Sequence, residues 1–219
     1  LEPSGYARSR GTALGAEREE REDGASLRAR RVARVQGRCE MHIAFVAISG
    51  VRASNTALME VGLTLPGFVE RSQVIASLPS LALLTLAGMT PGTFDISYHE
   101  VPDIHALTEL PPCDLAAISS YTAQIQDGYE LADRFRAAGV KVVMGGIHVT
   151  ALPDEALEHA DAVVIGEGEI GWPEVLRDVA AGHLRRVYAP EGREFDLGDS
   201  PMPRFDLLDI ERYNRLTVQ

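Results

Sequence analysis

Four short stretches of small and polar residues stand where this sequence can do chemistry: Ser49-Gly50, Ser119-Ser120-Tyr121-Thr122, Gly145-Gly146 with His148, and Gly166-Glu167-Gly168-Glu169. Glycines directly after an apolar run let a large planar ligand approach the backbone, and serine and threonine hydroxyls both donate and accept hydrogen bonds. Each stretch also has a plainer use. Gly145 and Gly146 also suit a tight turn from strand to helix. Ser119, Ser120 and Thr122 also suit the capping of a helix start, and Glu167 and Glu169 suit the first turn of a helix, where the macrodipole favours negative charge. Tyr121 can stack on a flat ring or lie half-buried in its loop. His148 can touch a ligand or stand as a partly exposed loop histidine.

Other chemistries lack their residues. No G-x-G-x-x-G follows the first strand, where Ser49-Gly50-Val51-Arg52 stands instead, and there is no Walker A motif. Ser119 occupies the place where a phosphoacceptor domain needs an aspartate. No H-E-x-x-H and no Ser–His–Asp spacing is present. Cys39 and Cys113 stand far apart, without metal-ligand spacing, and read as two unpaired thiols of a reducing compartment.

The elements that must position these stretches begin at Met41. Ile43–Ile48, Phe94–Tyr98, Leu115–Ile118, Val140–Met144 and Ala162–Ile165 read as strands, mostly continuous apolar runs. Between them Leu81–Ala87, opened by Pro79-Ser80, and Tyr129–Ala138, Asp154–His159 and Trp172–Ala181 read as helices, the longer ones stopped by Gly139 and Gly182. Apolar strands alternating with helices require a parallel sheet covered on both faces. The fold expected is α/β: a flavodoxin-like, doubly wound parallel sheet of five strands in the order 2-1-3-4-5, followed by an extended C-terminal connector. In such a sheet ligands bind beyond the carboxyl ends of the strands. All four stretches fall there, as does the loop entering Pro79 and Ser80-Leu81. About thirty residues, Val51 to Pro79, separate the first strand from its helix, where two to six are usual, and read as a lid or a partner surface.

Composition sets outer bounds. A net charge of −11 and a pI near 5.0 argue against a binder of nucleic-acid phosphates. The charge is uneven: residues 1–40 hold nine Arg against seven acids, and the rest twelve Lys/Arg against twenty-five. Residues 1–40 show almost no apolar periodicity and read as a disordered or non-native extension, with Met41 a possible translation start. No apolar run reaches the length of a membrane span and no signal peptide is evident, so a cytoplasmic location is expected. Residues 41–182 form the expected domain, and 183–219, with Pro190, Pro201 and Pro203, a short strand or two and a linker.

Pro79-Ser80-Leu81-Ala82-Leu83-Leu84, Ser119-Ser120-Tyr121-Thr122, Gly145-Gly146-Ile147-His148-Val149-Thr150 with Leu152-Pro153, and Gly166-Glu167-Gly168-Glu169 succeed one another in an order that resembles the N-terminal B12-binding domain of cobalamin-dependent radical SAM proteins. Pro201-Met202-Pro203-Arg204 with Asp206-Leu207-Leu208 resembles that family's linker. The resemblance implies a cobalamin (B12) whose corrin lies on the carboxyl edge of the sheet, its nucleotide tail entering near Gly145-Gly146 and Ser119, flanked by Gly166 to Glu169. It implies a partner radical SAM domain in the same chain, with a [4Fe–4S] cluster on C-x-x-x-C-x-x-C and S-adenosylmethionine. This sequence stops before such a motif, and the segment alone is expected to be inactive. Residues 49–54 also lack the histidine with which many cobalamin domains replace the lower cobalt ligand. A flavodoxin-like docking platform without corrinoid is the alternative, ahead of a flavin- or nucleotide-binding oxidoreductase domain.

Overall fold

The computed structural model describes residues 41–48, 79–190, 192 and 194–210. The expectations for residues 1–40, for Ser49 and Gly50, for the long connection up to residue 78 and for the last residues of the tail lie outside these.

Six parallel strands form one sheet in the order β2-β1-β3-β4-β5-β6. They are β1 (Met41–Ile48), β2 (Phe94–Val101), β3 (Leu115–Ser119), β4 (Lys141–Gly145), β5 (Ala162–Val164) and β6 (Val187–Tyr188). The five expected strands hold the expected order 2-1-3-4-5, and the sheet continues by one more. β6 comes from the start of the segment read as connector and pairs with β5 through Val163↔Val187 and Val164↔Tyr188.

The central strands are apolar on both sides because both sides are covered. Even-numbered residues of β1 (Ala44, Val46, Ile48) belong to the core on the face covered by α2 (Ile125–Ala137), through Tyr129, Leu131 and Phe135, and by α4 (Pro153–His159), through Ala156. Odd-numbered residues (Ile43, Phe45, Ala47) face α1 (Leu81–Met89) and α5 (Gly168–Ala180), through Leu83, Ala87, Trp172 and Val175. The Phe45 and Trp172 rings meet at 5.4 Å, tilted by 56°, a geometry worth about 0.5–1.5 kcal/mol beyond area burial. The buried indole N–H is satisfied: Trp172 Nε1 donates to Thr90 Oγ1 at 2.9 Å.

Local chemistry sets the ends of the elements. Ser80 caps α1 by accepting from the Leu83 N–H, and its own N–H donates to the Tyr98 hydroxyl at 2.8 Å. Arg134 donates to the Ile104 and Leu107 carbonyls at 2.8 and 2.7 Å and fixes the passage from β2 to β3. β6 is held by Arg185, which reaches Glu174 and Asp178 at 2.7 Å each and lies 4.4 Å over the Tyr188 ring. That guanidinium, with the Tyr188 hydroxyl, keeps the Asp178 carboxyl below its usual range. Cys113 is a free thiol; burial pushes it up to about 12, so it is unreactive near neutrality. Among the described residues no helix is long and apolar enough to cross a membrane.

Candidate functional site

A cavity of about 410 Å³ opens at the carboxyl ends of β3, β4 and β5. Its floor is the sheet: Ala117, Ile118 and Ser119 from β3, Val143, Met144 and Gly145 from β4, and Val164 from β5. One wall is α1, through Ala82, Leu83 and Leu86, and the other is the start of α5, through Gly168, Glu169 and Trp172. It lies on the face where Ile43, Phe45 and Val143 point, which explains its apolar lining.

The glycines shape it. Gly145 ends β4 with a side-chain direction whose nearest atoms, Val164 O and Cβ, are 3.7 and 3.8 Å away, so the missing side chain leaves cavity space. Gly146 has φ +109°, a conformation that other residues rarely adopt, and a Cβ there would stand 3.2 Å from Ser119 Oγ. It turns the chain from β4 into α3 (Ile147–Ala151), whose first residue, Ile147, is 87% exposed at the cavity rim. At Gly168 a Cβ would meet the Leu86 side chain at 3.3 Å, so the bare backbone lets the two walls touch.

The polar groups of the rim are few. Ser119 brings a hydroxyl from the end of β3. Thr150 Oγ1 accepts from the Gly166 N–H at 3.0 Å and fixes the loop after β5. Glu167 and Glu169 bring carboxylates; Glu167 Oε2 accepts from the Phe195 N–H at 2.9 Å. Among the described residues no lysine, arginine or histidine lines the cavity, and no cluster of three His, Cys, Asp or Glu could hold a metal ion. The arrangement can enclose a flat apolar group and offer hydroxyl and backbone contacts at its mouth. Its described lining holds no acid–base pair.

Of the residues proposed from sequence, Ser119, Gly145, Gly146, Gly166, Glu167, Gly168 and Glu169 meet at this cavity. Ser80, Leu81, Ser120, Tyr121, Thr122 and His148 do not line it. Ser80 is the α1 cap. Leu81 is the first residue of α1, half-buried beside the cap. Ser120 is buried and donates to the Gln124 carbonyl at 3.0 Å, a lock on its own loop. Tyr121 and Thr122 are exposed beyond β3, where Thr122 opens a short 3-10 turn. His148 turns to the opposite face: its Nε2 lies 3.6 Å from Glu155 Oε1, and its ring meets Tyr129 edge-on at 6.3 Å. Leu83, Leu86, Val164 and Trp172 were not foreseen. Apolar residues on a helix or strand carry no mark that separates a cavity wall from core.

The match with known proteins falls on these elements. Residues 76–176 match the family model of the B12 binding domain. The chain is 37% identical over 111 residues to the bacteriochlorophyllide d C-8(2)-methyltransferase of Chlorobaculum tepidum, covering 49% of this chain and 24% of that protein. It is 33% identical over 109 residues to the bacteriochlorophyllide d C-12(1)-methyltransferase of the same organism, covering 49% and 24%. An uncharacterized methyltransferase of Synechocystis is 29% identical over 145 residues, covering 65% of this chain and 27% of that one. Residues 76–176 thus form a B12-binding domain, in a chain that spans about a quarter of the length of the curated relatives it matches.

Proposed function

We propose that this chain is the cobalamin-holding segment of a methyltransferase that works by radical SAM chemistry. The observation that carries the proposal is the apolar, glycine-edged cavity of about 410 Å³ at the carboxyl ends of β3 to β5, inside the stretch that matches the B12 binding domain. The residues fit such a cofactor. A flat heterocyclic base suits the space between Leu83, Leu86 and Val164, and a sugar-phosphate suits the Ser119 hydroxyl and the backbone at Gly145-Gly146. Bound cobalamin supplies a cobalt centre able to accept and pass on a methyl group. The chain's own residues would bind it, orient it and keep water from the buried base.

Methyl transfer as the reaction class is supported by the relatives, which are methyltransferases by name; their pigment substrates are not carried over, because the chain matches about a quarter of each. The iron–sulfur cluster and S-adenosylmethionine would belong to another part of the full protein, since the two cysteines here have no cluster spacing. Titration with hydroxocobalamin, followed in the visible spectrum and by calorimetry, tests the reading. Saturable binding with a corrinoid spectrum is expected. Binding of flavin instead, or of neither, would overturn it in favour of an oxidoreductase domain or a docking platform.

A further inference from the structure

The described segment after β6, residues 194–208, stays on the domain. It crosses from one wall of the cavity to the other and is fastened at both. At the α5 wall the Phe195 N–H donates to Glu167 Oε2 at 2.9 Å, and Glu167 itself lines the cavity. At the α1 wall the Arg204 N–H donates to the Leu84 carbonyl at 3.1 Å, and Leu207 packs against the cluster that holds Leu83 and Trp172. The α1 attachment depends on a glycine: a Cβ on Gly88 would stand 2.7 Å from the Met202 carbonyl oxygen and 3.4 Å from Pro201 Cγ. Between the attachments the backbone is stiff. Asp196 caps the 3-10 turn Leu197–Asp199 by accepting from the Gly198 N–H at 2.8 Å, and Pro201 and Pro203 restrict the backbone between that turn and Arg204.

We infer that residues 194–208 are a strap that holds the two cavity walls at their spacing, so that strap attachment and cavity occupancy are coupled. The walls also meet directly, through Leu86 at Gly168 and the Trp172–Thr90 hydrogen bond, and a segment tied to both adds to that hold, so that its detachment loosens them. A ligand that needs the walls at this spacing then binds the strapped form better, and by linkage its binding strengthens the strap. The inference rests on the reading of the cavity as a corrinoid site and adds what regulates that site.

Gly88→Ala tests it away from the cavity, which Gly88 does not line. Alanine is the better helix former, so α1 persists, while the new methyl group must displace the Met202 carbonyl. Phe195→Pro releases the other end by removing the donor N–H. Hydrogen exchange of the full chain, with and without hydroxocobalamin, and the affinity for hydroxocobalamin are the readouts. In the parent chain the corrinoid is expected to slow exchange over 194–208. Each variant is expected to speed exchange over 194–208 and at the start of α5, residues 168–172, and to weaken hydroxocobalamin at least about threefold. A variant with a loosened strap and unchanged affinity would overturn the inference, as would Gly88→Ala with strap exchange unchanged. Should the parent chain bind no hydroxocobalamin, the corrinoid reading fails by itself. The strap is then judged on exchange alone: spread from Gly88→Ala to residues 168–172 upholds it, and confinement to 200–208 overturns it.

Discussion

Two neighbouring glycines that look alike in the sequence should respond to substitution in opposite ways. Gly145 lies in β4 without a positive φ, and its absent Cβ would find ordinary contacts at 3.7 and 3.8 Å. Valine is at home in a strand, so Gly145→Val should leave the melting temperature within a few degrees of the parent. Its methyl groups enter the cavity where a ligand would lie, and cobalamin affinity should fall by more than about tenfold, roughly 1.4 kcal/mol. Gly146 has φ +109°, and a Cβ 3.2 Å from Ser119 Oγ. Holding a non-glycine residue in such a conformation costs about 1–3 kcal/mol. For a chain of this size Gly146→Ala should therefore lower the melting temperature by roughly 2–12 °C. Thermal melts and hydroxocobalamin titrations on both variants separate folding from binding. A Gly145→Val protein that folds and binds cobalamin like the parent would refute the placement of the ligand.

Three further outcomes are expected from the packing and the charges. At Gly171 a Cβ would stand 2.6 Å from Val164 Cγ1, so Gly171→Ala should push α5 off β5 and cost about 1–3 kcal/mol in chemical denaturation. Burial first, and the neighbouring His42 second, lower the pKa of His99, so the unfolded chain takes up a proton that the folded one resists. Stability should accordingly decline as pH falls below about 6.5, and the decline should be shallower in His99→Asn. Cobalamin in its Co(II) state should show no protein nitrogen splitting in electron paramagnetic resonance, because His148 faces Tyr129 and Glu155; splitting that vanishes in His148→Ala would contradict this.

The sheet was legible in the sequence because its central strands are buried on both sides and so are apolar without interruption: Ile43–Ile48, Leu115–Ile118 and Val142–Met144 announce themselves. β6 was legible only as a short strand or two somewhere in 183–219, because a two-residue strand has no periodicity to place it; what makes Val187–Tyr188 a strand is the β5 backbone beside it and the Arg185 clamp. α3 was missed for a local reason. β-branched Val149 and Thr150 lower helix propensity, and two glycines precede it. Half of the cavity was readable, since ligand-facing groups in this fold cluster where strands end, and Ser119, Gly145 and Gly166 stand there. The helical walls were not, because Leu86 and Trp172 carry the same pattern as any buried helix face. The position of His148 was not legible without α3: once a helix begins at Ile147, adjacent side chains diverge, and Ile147 takes the rim while His148 goes to the far side.

The clamp on β6 also bears on how the protein behaves at high concentration. An open sheet has two outer strands whose unpaired backbone groups invite another chain to add on. Here one outer strand is two residues long, and its neighbours Arg185 and Arg186 are tied back to Glu174, Asp178 and the Leu157 carbonyl, so an incoming strand meets fixed charge and little template. The opposite outer strand among the described residues, β2, is eight residues long but carries Asp95, His99 and Glu100 along it. Stacking of sheets from different molecules into a continuous ribbon is thereby opposed at both ends, by shortness at one and by charged and polar side chains at the other.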